Sequence, residues 1–110
     1  MTTSLYIMDP SLMTGSASNM GTAVPANTKR IIRSAVLYNG TVAPVVCEIH
    51  CIPSGGTASD TNRVIHRTLA VEETYTCPEL VNKGMNAAGF VQGLGLDVSF
   101  SYTATDITNA

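Results

Sequence analysis

Ile31-Ile32-Arg33-Ser34-Ala35-Val36-Leu37-Tyr38, then Asn39-Gly40, then Thr41 to Ile52, then Pro53-Ser54-Gly55-Gly56: two β-rich runs are punctuated here by turn residues. Both flanks of Asn39-Gly40 are rich in β-branched and other apolar residues, which suit a pleated, half-buried surface. Asn-Gly between such flanks predicts a two-residue hairpin, because both central residues of a type I′ turn need positive φ. That hairpin would set Tyr38 opposite Thr41, Val36 opposite Ala43, Ser34 opposite Val45, Ile32 opposite Cys47 and Arg30 opposite Ile49. Opposed residues share a face, and this one reads as the core side. The other face would carry Leu37, Val42, Ile31 and Val46 among polar residues. Such a face is a liability on a free monomer and calls for a cover. Pro44 gives up a ladder hydrogen bond, which predicts a free edge on the second strand near the turn.

Working outward, Arg63 to Leu69 is again strand-like, after a loop by composition from Pro53 to Asn62. Thr76-Cys77-Pro78-Glu79 has the form of a capping box, with Tyr75 and Leu80 as its staple, and predicts one short helix ending near Gly84. Gly89 to Gly95 reads as a glycine-interrupted strand or bend. Leu96, Val98, Phe100 and Tyr102 then alternate with Asp97, Ser99, Ser101 and Thr103, the pattern of a half-buried antiparallel strand. Residues 1–28 differ in character. Leu5-Tyr6-Ile7-Met8 is their one strand-like piece, and with Leu12, Met13 and Met20 it supplies too few anchors to order the segment by burial alone. The expectation is an extended N-terminal arm, 1–28, that adds to a sheet edge or stays loose, and a sandwich domain, 29–110. Short strands punctuated by Gly and Pro predict an all-β, antiparallel jelly-roll or Greek-key sandwich.

The totals narrow the function classes. The chain has 110 residues, enough for one domain, and is 45% hydrophobic but only 13% charged. An average domain is about 25% charged, so this surface is weakly protected against self-association and suits a protein that works docked. Lys and Arg number six, with a net charge of −2, which lacks the basic stripe of a nucleic-acid binder. No apolar run is long enough for a transmembrane helix, and the N-terminus lacks the pattern of a secretory signal. Synthesis in a cytoplasm without export by that route is therefore expected. Cys47, Cys51 and Cys77 cannot all pair within one chain, and the first two lie too far apart along a strand to bridge. They read as small buried apolar residues. A metal reading would recruit His50 and His66, but alternation sets His50 on the face opposite Cys47 and Cys51. No nucleophile with its base, carboxylate pair or phosphate loop is assembled locally, so neither an enzyme nor a cofactor is expected.

Three segments carry a family resemblance: Val36-Leu37-Tyr38-Asn39 through Pro53-Ser54-Gly55-Gly56-Thr57-Ala58; Asn62-Arg63-Val64-Ile65-His66-Arg67-Thr68-Leu69-Ala70; and Glu73-Thr74-Tyr75-Thr76-Cys77-Pro78-Glu79-Leu80-Val81. Together they resemble small β-sandwich virion proteins of tailed bacteriophages, and by size and arm a head decoration (cement or stapling) protein of a short-tailed phage. The resemblance implies a jelly-roll dimer or other homo-oligomer on the outer capsid. It would bridge major capsid protein subunits against the pressure of packaged DNA, with no nucleic-acid or membrane partner and no catalytic residues. A tail or neck component, or a receptor- or glycan-binding module, is the alternative. The expected contact residues are Leu5, Tyr6, Ile7 and Met8 of the arm and Ile31, Leu37, Val42 and Val46 of the hairpin.

Overall fold

The computed structural model describes residues 1–109 as two packed antiparallel sheets. The strands are β1 (Thr2–Leu12), β2 (Ser18–Asn19), β3 (Thr28–Asn39), β4 (Val45–Ile52), β5 (Arg63–Leu69), β6 (Thr74–Tyr75), β7 (Gly84–Met85), β8 (Phe90–Leu94) and β9 (Val98–Thr108). The front sheet runs β1-β9-β3-β6, with β7 also on β3, and the back sheet runs β2-β8-β4-β5. That interleaved order is a jelly roll, so the all-β sandwich expected from the sequence is the fold.

The hairpin is not formed. β3 pairs with β9 in the front sheet, and β4 pairs with β5 and β8 in the back sheet. Neither Asn39 nor Gly40 takes the positive φ that a type I′ turn requires. Asn39 is instead fully buried and clamps the crossing between sheets. Its Nδ2 donates to the Ala43 and Leu69 carbonyls at 3.0 and 3.1 Å, and its Oδ1 accepts from the Thr41 amide and hydroxyl. An Asn side chain can bond its own backbone two residues on, and here that chemistry serves a crossover. Pro44 precedes β4, a strand interior to the sheet that pairs with β8 only from Glu48 onward, so Val45 to Cys47 beside it have β5 as their one ladder neighbour.

The buried face of β3 also differs from the expected one. Arg30 and Ile32 point inward, but so do Ala35, Leu37 and Asn39. The register shifts between Ile32 and Ser34, and one extra residue in a strand swaps every side chain beyond it to the other face. Leu37, expected outside, lies in the core at 0% exposure, whereas Val36 and Tyr38 face solvent. The bulge makes room for the segment before β7. Ile32 donates to the Lys83 carbonyl, Asn82 donates to the Ile32 carbonyl, and Arg33 reaches Asn82 Oδ1 at 2.9 Å.

The short helix reduces to one 3-10 turn, Pro78–Leu80. Cys77 at its start is left-handed, with φ 47°, and no side chain caps it. Glu79 does not reach back to cap; its carboxylate accepts from the Tyr75 hydroxyl at 2.6 Å. At the other end of the fold, β9 shows the expected alternation: Val98, Phe100, Tyr102, Ala104 and Asp106 face in. Leu96 lies before the strand and is exposed. β8 contains Gly93 because a Cβ there would sit 2.6 Å from Met13 Sδ and 3.0 Å from Ile49 Cδ1.

Residues 1–28, expected as an arm that adds to a sheet edge or stays loose, supply β1 and β2. β1 lies along β9 from Thr2 to Leu12, slipping register around Asp9-Pro10, where Pro10 can donate nothing to the ladder. Met8, Met13, Met20 and Val24 enter the common core. Tyr6 lies 3.7 Å from the Arg30 guanidinium carbon and accepts a hydrogen bond from the Thr22 amide at 2.8 Å. Gly21 has φ +82°, and a Cβ there would fall 2.6 Å from the Tyr6 hydroxyl and 2.7 Å from that of Tyr102. The 20–22 turn is thus fitted closely over the two tyrosines.

Candidate docking face

The outer surface of the front sheet is built around β9. Its outward row is Ser99, Ser101, Thr103, Thr105 and Ile107. Register places Leu12 and Tyr38 on either side of Ser99, Leu5 and Ile31 on either side of Thr105, Ile7 beside Thr103, and Val36 beside Ser101. A central strip of hydroxyls is thereby flanked by two apolar rows. Leu5, Ile7 and Leu12 are 66%, 58% and 62% exposed, and Tyr38 and Val36 are 41% and 37%. The charged side chains bordering this region are Lys29 and Arg33 at one end, with Arg33 engaged by Thr105 and Asn82, and Asp97 beside Leu12 and Tyr38 at the other. The face therefore offers apolar area and neutral hydrogen-bonding groups with little charge to desolvate. Charged residues are depleted at the cores of protein interfaces for that reason.

Of the eight expected contact residues, the fold gathers Leu5, Ile7 and Ile31 on this face. Tyr6 and Met8 point inward from β1, and Leu37 is in the core. Val42 stands 97% exposed at the tip of the β3–β4 crossing, and Val46 lies half-exposed on the back sheet. Val36 and Tyr38 belong to the face but were hidden from a sequence reading by the bulge. Leu12 was visible only as an arm anchor.

The back sheet is chemically different. Glu48 sits between two histidines, with Oε1 3.2 Å from His50 Nε2 and Oε2 3.3 Å from His66 Nδ1. Asn62 Oδ1 lies 2.9 Å from the other nitrogen of His50, and the Arg63 guanidinium approaches Glu48 at 3.9 Å. The histidines thus meet a carboxylate rather than the cysteines considered with them in the metal reading. Among the described residues, no cluster of three or more His, Cys, Asp or Glu has metal-binding geometry. A groove of about 770 Å³ lies at the start of β3. Asn27, Asn82, Asn86, Asn109, Lys29 and Met85 contribute to its wall, with no histidine, cysteine or acidic side chain among the described residues.

All three cysteines are free. Cys47 and Cys77 are fully buried, and Cys51 is partly so. Burial pushes the Cys47 and Cys51 thiols up to about 11 and that of Cys77 to about 12. The nearby carboxylates of Glu73 and Glu79 add to the effect at Cys47 and Cys77. Thiolate is the reactive form, so near neutral pH the fully buried Cys47 and Cys77 are inert. A disulfide-exchange reagent at neutral pH should leave Cys47 and Cys77 unmodified in the native protein and modify all three in urea; rapid native labelling of Cys77 would contradict its placement. The unfolded chain gives up thiol protons from about pH 8.5, while the folded chain keeps them to about 11 or 12. Stability should hold below that range and fall as pH rises through it.

No protein-family model and no curated protein matches the chain. Among solved structures, it is similar to a subunit of Bacillus endospore appendages, described as a family of disulfide-linked pili. The TM-score is 0.57 at 15% identity, over 99% of this chain and 88% of that one. A structure of infectious bursal disease virus, Gx strain, aligns with a TM-score of only 0.28 at 14% identity over 28% of its chain. The chain is thus a small antiparallel β-sandwich of the kind found in that appendage subunit. At this identity the likeness speaks for the fold alone.

Proposed function

We propose that the protein is a non-catalytic, multi-copy structural subunit that docks onto neighbouring subunits through the outer face of its front sheet. The assembly, in this reading, is a tailed-phage virion. The chain decorates the outside of the head and bridges copies of the major capsid protein. The observation that carries the proposal is the face itself: Leu5, Ile7, Leu12, Val36 and Tyr38 exposed around a strip of Ser and Thr hydroxyls. Burying a large apolar side chain contributes roughly 1.5–3 kcal/mol. A few such side chains make one modest contact, and many copies on a repeating shell raise the total by avidity without new chemistry. The virion assignment is supported by the Pro53-Ser54-Gly55-Gly56 loop and the Glu73-to-Leu80 segment, which recur together in the phage proteins this sequence resembles. A tail or neck position would use the same face.

Val36→Lys with Tyr38→Lys places two charges on the face and leaves the inward residues of β3 untouched. The variant should keep its melting temperature and bind undecorated particles about tenfold or more weakly, a loss of about 1.4 kcal/mol or more. Occupancy equal to the wild type by electron microscopy would defeat the proposal.

A second reading is favoured by the likeness to the appendage subunit: a fibre protein whose copies stack on one another. If cross-linked by disulfides as those pili are described, this chain would have to use Cys51, since Cys47 and Cys77 are fully buried. Purified protein that grows into filaments without any shell, and falls apart on reduction only when Cys51 is present, would favour that reading.

A further inference from the structure

We propose that the free edge of β1 pairs antiparallel with the same edge of a second copy, joining two front sheets into one continuous sheet across a twofold axis. This contact uses the backbone edge rather than the face, and it holds whether the assembly is a shell or a fibre.

An edge strand presents unpaired amides and carbonyls, and proteins protect such edges by keeping them short or charged. Three of the four edges here are protected. β2 ends the back sheet with two residues, and β6 and β7, two residues each, cover the far side of β3. β5 is longer, but it carries Arg63, His66 and Arg67, which would meet their own kind in a self-pair. β1 has 11 residues, and among the described residues it pairs only with β9. From Thr2 to Met8 it reads Thr-Thr-Ser-Leu-Tyr-Ile-Met, with no charge, no proline and no glycine. Protection begins only at Asp9-Pro10, where the register slips.

Self-complementarity points to a second copy as the occupant. An antiparallel pair centred on Leu5 sets Leu5 against Leu5, Thr3 against Ile7 and Ser4 against Tyr6. No like charges meet, and the apolar outer row of one copy runs into that of the other. A twofold contact of this kind closes on itself and does not propagate. The strand is also held ready for pairing: Tyr6 stacks on buried Arg30 and accepts from the Thr22 amide, and Met8 is in the core. Little ordering remains to be done on association, which is the advantage of preorganisation. The product is a docking face of twice the width, presented twice to a repeating shell.

The test uses the whole chain without particles. Sedimentation from micromolar to millimolar concentration should show a monomer–dimer equilibrium, and hydrogen exchange should show β1 amides slowing as concentration rises. Ser4→Lys with Leu5→Lys should remain monomeric over the same range with an unchanged melting temperature. Should that variant unfold, Ser4→Lys alone, at an exposed position, serves the same purpose. A wild type that stays monomeric throughout, β1 exchange independent of concentration, or a dimer that survives the lysines would each overturn the proposal. Val36→Lys with Tyr38→Lys should still dimerise while losing particle binding, so failure of the edge and failure of the face read out separately.

Discussion

Asp106→Ala is expected to cost the fold about 3–5 kcal/mol, because it strands a buried positive charge. Arg30 is 1% exposed and lies directly across from Asp106 on the inner face of the front sheet. Its Nε donates to Oδ1 at 2.7 Å, its Nη2 to Oδ2 at 3.0 Å and its Nη1 to the Thr22 carbonyl at 2.8 Å. Burial on its own would lower the guanidinium pKa, but the hydrogen bonds and charge of Asp106 outweigh it and hold the value above normal. Without Asp106 the burial remains and the compensation is gone. The loss would spread, since Arg30 also carries the ring of Tyr6 and the 20–22 turn. The pair itself need not stabilise the fold relative to apolar residues of similar size, because desolvating two ions offsets much of their attraction. Arg30→Met with Asp106→Leu should therefore recover most of the loss. Urea unfolding of the wild type, Asp106→Ala and the double variant gives the comparison. A single variant within about 1 kcal/mol of wild type would mean that water reaches the guanidinium.

Both the strength and the weakness of the sequence reading lie in how local the signals are. The alternation from Val98 to Tyr102 was legible because it depends only on period two and one buried face. The positions of β3, β4 and β5 were legible from composition and punctuation in the same way. Pairing was not. Asn39-Gly40 fits a hairpin and a crossing equally well until the φ of Asn39 is known, and that φ answers to partners as distant as Leu69. The face of β3 was misread for a related reason. Ile31-Ile32 and Ala35-Val36-Leu37 are apolar on both phases, so the pattern gave no sign that one residue between them is extra. Arg30 was placed on the core side, yet its partner Asp106 stood 76 positions away and nothing in the sequence joined them. Leu5, Ile7 and Ile31 could be found as contact candidates because their apolar character needs a cover in any register. Val36 and Tyr38 could be assigned only once the bulge was known.

The bulge gives the second large expectation, and it is a comparison of neighbours. Leu37→Ser should cost about 3–5 kcal/mol: a fully buried side chain is lost, a cavity is left and a hydroxyl is buried in its place. Val36→Ser, one position earlier and 37% exposed, should cost less than about 1 kcal/mol. Had β3 run without the extra residue, Ile32 would share its face with Ser34, Val36 and Tyr38, and the order of the two effects would reverse. The same inversion should appear between Ser34 and Ala35, since Ala35 is buried and Ser34 is not. Denaturant melts of Leu37→Ser and Val36→Ser decide the matter, and equal costs would mean that neither face is a core. The comparison also separates stability from docking. Leu37→Ser should lower particle binding only in proportion to the folded fraction. Val36→Ser should lower it in fully folded protein, because the side chain it removes belongs to the proposed docking surface.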